Sequence, residues 1–333
     1  MFRELSRVVL VVFSLMLVVA CGGGGGGGGG VSDTDSGDNN TPASSVYSGL
    51  ETQADLSSSN TEDFSERSTM GYESANSIMG TFGKSASEEG AGEFTGLNFF
   101  TVNTLKDILS DENYGRASYS DSSTVYGTCG GSASASFTIN DDNSFSMSLM
   151  YDDFCYANVN ANGGVSISGR YSGSTLDWST LTSVSVTYSS LNMRVLSTDV
   201  VASGTLSIAM SSSNNYTITS NLSFNDSAAG ISFKNENLVV TVTESSDVIY
   251  VDSTPYTRAS SLSMNGRLYL NEYGYVDITT ITPVSINSGG QYLQGQIKIQ
   301  GSNSKSALIT YSPYSVQTVT GDYDGDEVYE FAF

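Results

Sequence analysis

The chain of 333 residues contains no histidine. This absence excludes Ser-His-Asp and Cys-His catalysis, histidine metal ligands and imidazole acid-base chemistry. An enzyme would have to rely on a carboxylate pair of the kind that glycoside hydrolases use. The 35 acidic residues give no basis for choosing such a pair. We therefore name no catalytic residue and expect a protein that is not an enzyme.

Basic residues, proline and tryptophan are also scarce. Lys and Arg together number 13 against 35 Asp and Glu, which gives a formal net charge of −22. A chain this acidic repels phosphate groups, and nucleic acid is excluded as a partner. The 4 prolines leave long strands uninterrupted. Trp178 is the single tryptophan, and we expect it to be buried rather than to form a sugar-binding platform.

The N-terminus has the pattern of an export signal. Arg3 and Arg7 precede an apolar run over residues 8–19, and Ala20 then precedes Cys21. The run is shorter than the roughly 20 apolar residues that a membrane-spanning helix needs. The pattern predicts a removable signal peptide over residues 1–20.

The stretch Val18-Val19-Ala20-Cys21 resembles the lipobox of bacterial lipoproteins. The resemblance implies that Cys21 is lipidated and becomes the first residue of the mature protein, which is then anchored to the membrane. Because Gly22 rather than Asp follows the cysteine, the resemblance also implies sorting to the outer membrane. The exported body is similar to uncharacterised all-β envelope lipoproteins.

A tether follows the lipidation site. Nine glycines, Gly22 to Gly30, lead into a Ser-, Asn- and Asp-rich stretch. Neither composition can bury enough apolar surface to fold. We therefore predict a disordered tether over residues 21–46.

Residues 47–128 carry two helical patterns. The sequence Ser59-Asn60-Thr61-Glu62 fits a capping box at the start of a helix between Ser57 and Gly80. An apolar stripe from Phe94 to Ile108 recurs at helical spacing and predicts a second helix.

From Ser132 onward, apolar and small polar residues alternate in short runs separated by turn clusters. This pattern predicts an antiparallel β domain over residues 129–333. The fold class is therefore mainly β, a large antiparallel meander that forms a curved sheet or an incomplete barrel, with a β-sandwich as the alternative. Residues 160–164 are among the predicted turns. Apolar positions change from even to odd between Tyr188 and Leu191, which predicts a β-bulge near Ser189 and Ser190.

The two remaining cysteines are placed by the register of one hairpin. When the turn is centred on Asp142, Ile139 opposes Phe145 and, by continuation of the same register, Cys129 opposes Cys155. Opposed antiparallel residues have the Cα separation that a disulfide requires. We predict a Cys129–Cys155 disulfide on the apolar face of the sheet.

The C-terminal region contains an acidic run. Asp322, Asp324 and Asp326, with Glu330 beyond them, resemble the start of an aspartate-rich calcium loop. The run departs from the EF-hand pattern because Glu327 occupies the position of the loop glycine. A hairpin turn with solvated carboxylates is the alternative interpretation.

The last aromatic residues, Tyr329, Phe331 and Phe333, alternate along the chain. This pattern resembles the C-terminal signal of integral outer-membrane β-barrels. The alternative is the last strand of a soluble core.

For function, we expect a lipid-anchored cell-envelope protein that acts as a non-catalytic structural, adhesive or ligand-binding module. Its partner would be an envelope protein, a glycan or a lipid. The first alternative is a carrier of lipid or another hydrophobic ligand in a half-barrel cavity. A carboxylate-dependent hydrolase and an integral outer-membrane β-barrel are less favoured.

Overall fold

The computed structural model describes residues 46–68 and 119–332, leaving out 157–158, 175, 177–179, 196–197, 213, 227–230, 252, 288–290, 314 and 330. The signal peptide, Cys21, the tether up to residue 45, the second predicted helix and Trp178 lie outside the described residues, as do Glu330 and Phe333. The one helix within the described part, α1, spans Ser58–Ser68. It is not long and apolar enough to cross a membrane.

Fifteen strands account for most of the described chain. They are β1 Tyr119–Tyr126, β2 Gly130–Ile139, β3 Ser144–Tyr156, β4 Val159–Tyr171, β5 Leu181–Val195, β6 Thr198–Ser212, β7 Asn215–Asp226, β8 Ile231–Glu244, β9 Val248–Val251, β10 Thr254–Leu270, β11 Gly274–Asn287, β12 Tyr292–Gln300, β13 Ser306–Ser312, β14 Ser315–Asp322 and β15 Phe331–Ala332. A short 3-10 turn, Ser302–Ser304, lies between β12 and β13.

The strands form one antiparallel meander, which confirms the predicted fold class. Each strand pairs with its neighbours in sequence, except that β9 pairs with β10 alone and β8 therefore pairs with β10. Among the described strands, β1 and β15 lie at the two ends of the order and do not pair with each other, so this single sheet is open. The sheet begins at Tyr119, before the predicted start of the β domain at residue 129.

We call the side of the sheet that carries the buried apolar residues the inner face and the opposite side the outer face. Ile139, Phe145, Tyr188 and Ile309 represent the inner face, and each is at most 2% exposed. A single sheet can bury one face this completely only if it curves over its own side chains or is covered by other segments. This burial agrees with the predicted curved sheet.

The predicted bulge in β5 is present. The register shifts between Tyr188 and Leu191, and Ser190 has a φ of 47°. Because the bulge inserts one extra residue, Tyr188 and Leu191 are both buried on the inner face.

The turn predicted over residues 160–164 is wrong, because these residues lie inside β4. They oppose the β5 bulge, where the register shifts between Asn162 and Gly164. A Cβ atom on Gly163, which has a φ of 95°, would lie 2.4 Å from the carbonyl oxygen of Ser190. The glycines therefore allow two backbones to approach closely rather than to reverse direction.

The predicted capping box is displaced by two residues. Ser57 caps α1: its carbonyl oxygen accepts from the Thr61 amide at 3.1 Å, and its amide donates to Oδ1 of Asn60 at 2.9 Å. This is one half of a capping box, with Asn60 in the position usually held by Glu or Gln. The other half is absent, because the Ser57 hydroxyl pairs with the Ser59 hydroxyl.

Residues 46–56, which we call the N-terminal strap, cross one end of the sheet. The Ala54 amide donates to the Tyr275 carbonyl at 2.8 Å, and the Tyr275 amide donates to the Thr52 carbonyl at 2.9 Å. A Cβ atom on Gly274, which has a φ of 89°, would lie 2.0 Å from the Thr52 oxygen. Only glycine leaves room for this crossing.

Candidate functional site

The three aspartates of the C-terminal run lie together immediately after β14. One carboxylate oxygen from each of Asp322, Asp324 and Asp326 lies within 4.8 Å of the other two. Ligands on opposite sides of a calcium ion are about 4.6 to 5.2 Å apart, because Ca–O distances are about 2.3 to 2.6 Å. The three oxygens are therefore close enough together to bind one calcium ion.

Asp322 organises this loop. It is fully buried, and its two carboxylate oxygens accept from the amides of Gly325 at 2.8 Å and Glu327 at 3.0 Å. Asp324 and Asp326 are exposed, and each caps the amide two residues further on. The loop conformation thus has an internal cause, since side chains satisfy its backbone amides.

Glu327 has a φ of 69°, the left-handed conformation that the glycine of an EF-hand loop supplies. The sequence pattern has glutamate where glycine is expected, yet the backbone conformation is present. Glu330, the fourth predicted ligand, lies outside the described residues. The structure therefore brings together three of the four predicted oxygen ligands.

The predicted disulfide joins Cys129 and Cys155, whose Cα atoms are 5.1 Å apart. The predicted register holds from Ile139 opposite Phe145 as far as Ser132 opposite Asp152. Beyond that point it shifts by one residue, and Gly130 opposes Cys155.

The expectation that this disulfide lies on the buried apolar face is wrong. Cys129 is exposed and Cys155 is partly exposed. Gly130 and Gly131 have φ values of 139° and 65°, so the chain leaves the ladder before it reaches Cys129. The disulfide joins the hairpin at its open end.

Basic and aromatic side chains cluster where the N-terminal strap meets β8, β10 and β11. The Lys234 ammonium lies 4.2 Å from the centre of the Tyr269 ring and 3.2 Å from Oε1 of Glu51 in the strap. The Arg267 guanidinium lies 3.8 Å from the centre of the Tyr275 ring and donates to Asp277 at 2.8 Å. Sequence analysis missed this cluster, because its members are far apart along the chain and share no motif.

The tyrosines of this cluster titrate at unusually high pH. Burial raises the pKa of Tyr47 to about 12, and the nearby Glu51 carboxylate adds to the shift. Burial also raises the pKa of Tyr269 to about 12, and so does the hydrogen bond that its hydroxyl donates to Glu236. Both phenols are therefore neutral below pH 10. They hold the strap through packing and hydrogen bonds rather than through charge.

The outer face of β3–β6 forms a shallow trough of about 470 Å³. Its walls are mainly serine side chains. Its floor is the sheet itself, whose residues there include Phe145, Val184 and Ile208. These three side chains are buried on the opposite face. No carboxylate lines the trough, so it lacks the acidic pair that a hydrolase of the predicted kind would need.

Comparisons with protein-family models, with curated proteins and with solved structures each found no match to this chain.

Proposed function

We propose that this chain is a lipid-anchored cell-envelope protein whose β body acts as a non-catalytic binding or adhesive module. The observation that carries the proposal is the pairing of Cys129 with Cys155. It accounts for two of the 3 cysteines and leaves Cys21, in the lipobox-like sequence, available for the lipid. Exported proteins commonly pair their remaining thiols.

The residue that follows the predicted tether belongs to the folded body. Tyr47, the residue after the predicted tether of residues 21–46, is buried, and its hydroxyl lies 3.0 Å from the Leu270 carbonyl oxygen. A flexible linker of about 25 residues has an r.m.s. span of roughly 25 to 30 Å. An anchor at Cys21 would thus hold the acidic body near an outer membrane without pressing it against anionic headgroups.

A binding module is favoured over a lipid carrier by the packing of the inner face. A cavity that holds an acyl chain leaves accessible surface on the side chains that line it. Within the described part of the chain, Leu191, Val242 and Ile297 on this face are 0% exposed. The carrier is the runner-up proposal, and it would require this face to open.

We also propose calcium as a structural ligand of the loop that Asp322, Asp324 and Asp326 form. The oxygen separations given above support it, because they fit Ca–O distances. Calcium would neutralise part of the local negative charge and tie the end of β14 to the loop.

Metabolic labelling with a fatty acid, followed by detergent phase partitioning, tests the anchor. The wild-type protein should incorporate label and enter the detergent phase, and Cys21→Ser should do neither. The matched control is the double variant Cys129→Ser/Cys155→Ser, which keeps Cys21 and should still carry label. Equal labelling of Cys21→Ser and the wild type would refute the proposal.

A further inference from the structure

The hairpin that joins β9 to β10 extends beyond the rest of the sheet. β7 pairs with β8 no further than Thr243, and β11 pairs with β10 no further than Arg258. Residues 248–257, which we call the tip hairpin, therefore pair only with each other among the described residues. None of the side chains described in the tip hairpin is buried.

The backbone of β9 offers hydrogen-bonding groups along its outer edge. The Arg258 amide donates to the Asp247 carbonyl at 2.9 Å. Because hydrogen bonds alternate along an antiparallel ladder, the backbone groups of Val248 and Tyr250 point away from β10. Pro255, which has no amide hydrogen, lies opposite Tyr250 and agrees with this alternation. No described strand pairs with this edge, so it presents the N–H and C=O groups of two residues to a further strand.

The side chains on this edge are apolar. Val248 is 55% exposed and Tyr250 is 70% exposed. Natural edge strands often prevent unwanted pairing with a lysine, a proline or a bulge, and the sequence Val-Ile-Tyr-Val of β9 contains neither of these two residues. The backbone and the side chains therefore both favour the addition of a strand.

The sequence of β9 is complementary to itself. When a second copy of β9 runs antiparallel with Ile249 opposite Ile249, Val248 lies opposite Tyr250 of that copy. The outward backbone groups of these two residues then form the hydrogen bonds of the ladder. Each Val–Tyr pair also joins a β-branched side chain to an aromatic one, which is a favourable cross-strand pair.

The same register keeps carboxylates apart. Asp247 lies opposite Val251, and by continuation along the sequence Asp252 lies opposite Ser246. The Asp247 carboxylate is also paired with Arg258 at 2.9 Å within its own chain. The tip hairpin contains one charged residue in a chain with a net charge of −22, so it is a place where two copies can meet with little repulsion.

We propose that β9 pairs antiparallel with β9 of a second copy of this chain, with Ile249 opposite Ile249, and joins anchored copies head to head. This inference rests on the proposed adhesive function and names its partner. The strap lies at the Leu270 end of β10 and the tip hairpin at the Thr254 end. Antiparallel pairing therefore directs the straps of the two copies, and with them the anchors, in opposite directions. A contact of four residues is small and weak, and many copies on facing membranes would supply the avidity.

Cross-linking of the full-length lipidated protein in detergent micelles tests the register. Ile249→Cys places two thiols at a non-hydrogen-bonded pair, where Cα atoms about 4.5 Å apart allow a disulfide. Oxidation should give covalent dimers of Ile249→Cys in a yield about tenfold above that of Ile281→Cys, since pairing raises the local thiol concentration. Ile281 is also accessible, but it lies on β11, which has a strand on each side. Equal yields, or no dimer of Ile249→Cys, would overturn the proposal.

Clustering of vesicles tests the head-to-head arrangement. Phosphatidylcholine vesicles that carry the fatty-acid-labelled protein should cluster in physiological salt, which screens charge repulsion beyond about 8 Å. Light scattering measures the clusters. Val248→Asp should reduce clustering about tenfold, because a charge on the edge opposes pairing. Ile281→Asp is the matched control, since Ile281 and Val248 are each 55% exposed, and it should cluster as the wild type does.

Circular dichroism and urea unfolding establish that each variant is folded. If Val248→Asp fails to fold, Val248→Pro takes its place, because it removes the outward amide hydrogen and keeps a small apolar side chain. Clustering that is undiminished by the Val248 substitution would overturn the proposal, as would no clustering of vesicles that carry the labelled wild type. These failures are distinct from a failure of the anchor, because fatty-acid labelling of Cys21 is read separately.

Discussion

The hydroxyl oxygen of Tyr47 lies 3.0 Å from the carbonyl oxygen of Leu270, 223 positions further along the chain. The same hydroxyl lies 2.9 Å from the carbonyl oxygen of Leu50 within the N-terminal strap. One side chain thus fixes the strap to the end of β10. The strap also pairs with the sheet at the Gln53–Tyr275 bridge and adjoining hydrogen bonds.

Replacing Tyr47 by phenylalanine should lower the free energy of unfolding by about 1 kcal/mol, the usual net contribution of one hydrogen bond. Urea unfolding followed by circular dichroism measures this change. Tyr126→Phe is the control. Tyr126 is 79% exposed, so the loss of its hydroxyl should leave the free energy of unfolding unchanged. Equal stability of Tyr47→Phe and the wild type would mean that the hydroxyl contributes nothing to holding the strap.

Stability should fall as the pH rises from 10 to 12. The pKa of Tyr47 and that of Tyr269 are raised from 10 to about 12 in the folded protein. Below pH 10 both phenols are protonated in the folded and unfolded states, and the stabilisation is complete. Between pH 10 and 12 the unfolded state releases these protons first, so the free energy of unfolding decreases.

Urea unfolding at pH 9, 10 and 11 tests this dependence. The wild-type protein should lose stability more steeply than Tyr47→Phe/Tyr269→Phe, which lacks both titrating groups. If the free energy of unfolding fell equally with pH in both proteins, Tyr47 and Tyr269 would not be the groups that cause the loss.

Reducing the Cys129–Cys155 disulfide should lower the free energy of unfolding. The two cysteines are separated by 26 positions, and a loop of this length gives about 3.5 kcal/mol by the chain-entropy estimate. Because Cys129 is exposed, dithiothreitol should reach the bond without prior unfolding. Urea unfolding with and without reductant measures the loss, and Cys129→Ser/Cys155→Ser should show none on addition of reductant.

Calcium should raise the thermal unfolding temperature of the protein. At a concentration of 100 times the Kd, binding to the folded state alone adds about 2.7 kcal/mol. Asp324→Asn should abolish most of this shift, because it removes an exposed ligand without disturbing the buried Asp322. Asp152→Asn, which makes the same charge change at an exposed position on β3, should retain it. A shift that survives in Asp324→Asn would place the calcium elsewhere.

Local patterns predicted the parts of the fold that depend on neighbouring strands. The hairpin register around Asp142 and the bulge at Ser190 both follow from which face each side chain must occupy. The predicted turn at residues 160–164 and the predicted register at Cys129 were wrong, because glycine is compatible both with a regular strand and with a local change of backbone direction. Gly163 occurs in a turn-like sequence and yet lies opposite the bulge, and Gly130 releases the chain from the ladder before Cys129.

The remaining features depend on contacts between distant residues. Nothing in the sequence near Tyr47 indicates that it reaches Leu270. The aspartate loop was recognised from its spacing, but its closure around the buried Asp322 becomes visible only in three dimensions.

The meander also determines the order in which the strands can assemble. Each strand joins the one synthesised just before it, apart from the β8–β10 pairing, so the sheet can grow as the chain emerges, without waiting for distant partners. The strap is the exception, since it emerges before the whole sheet and docks on β10 and β11. The strap must therefore stay undocked until β10 and β11 have formed.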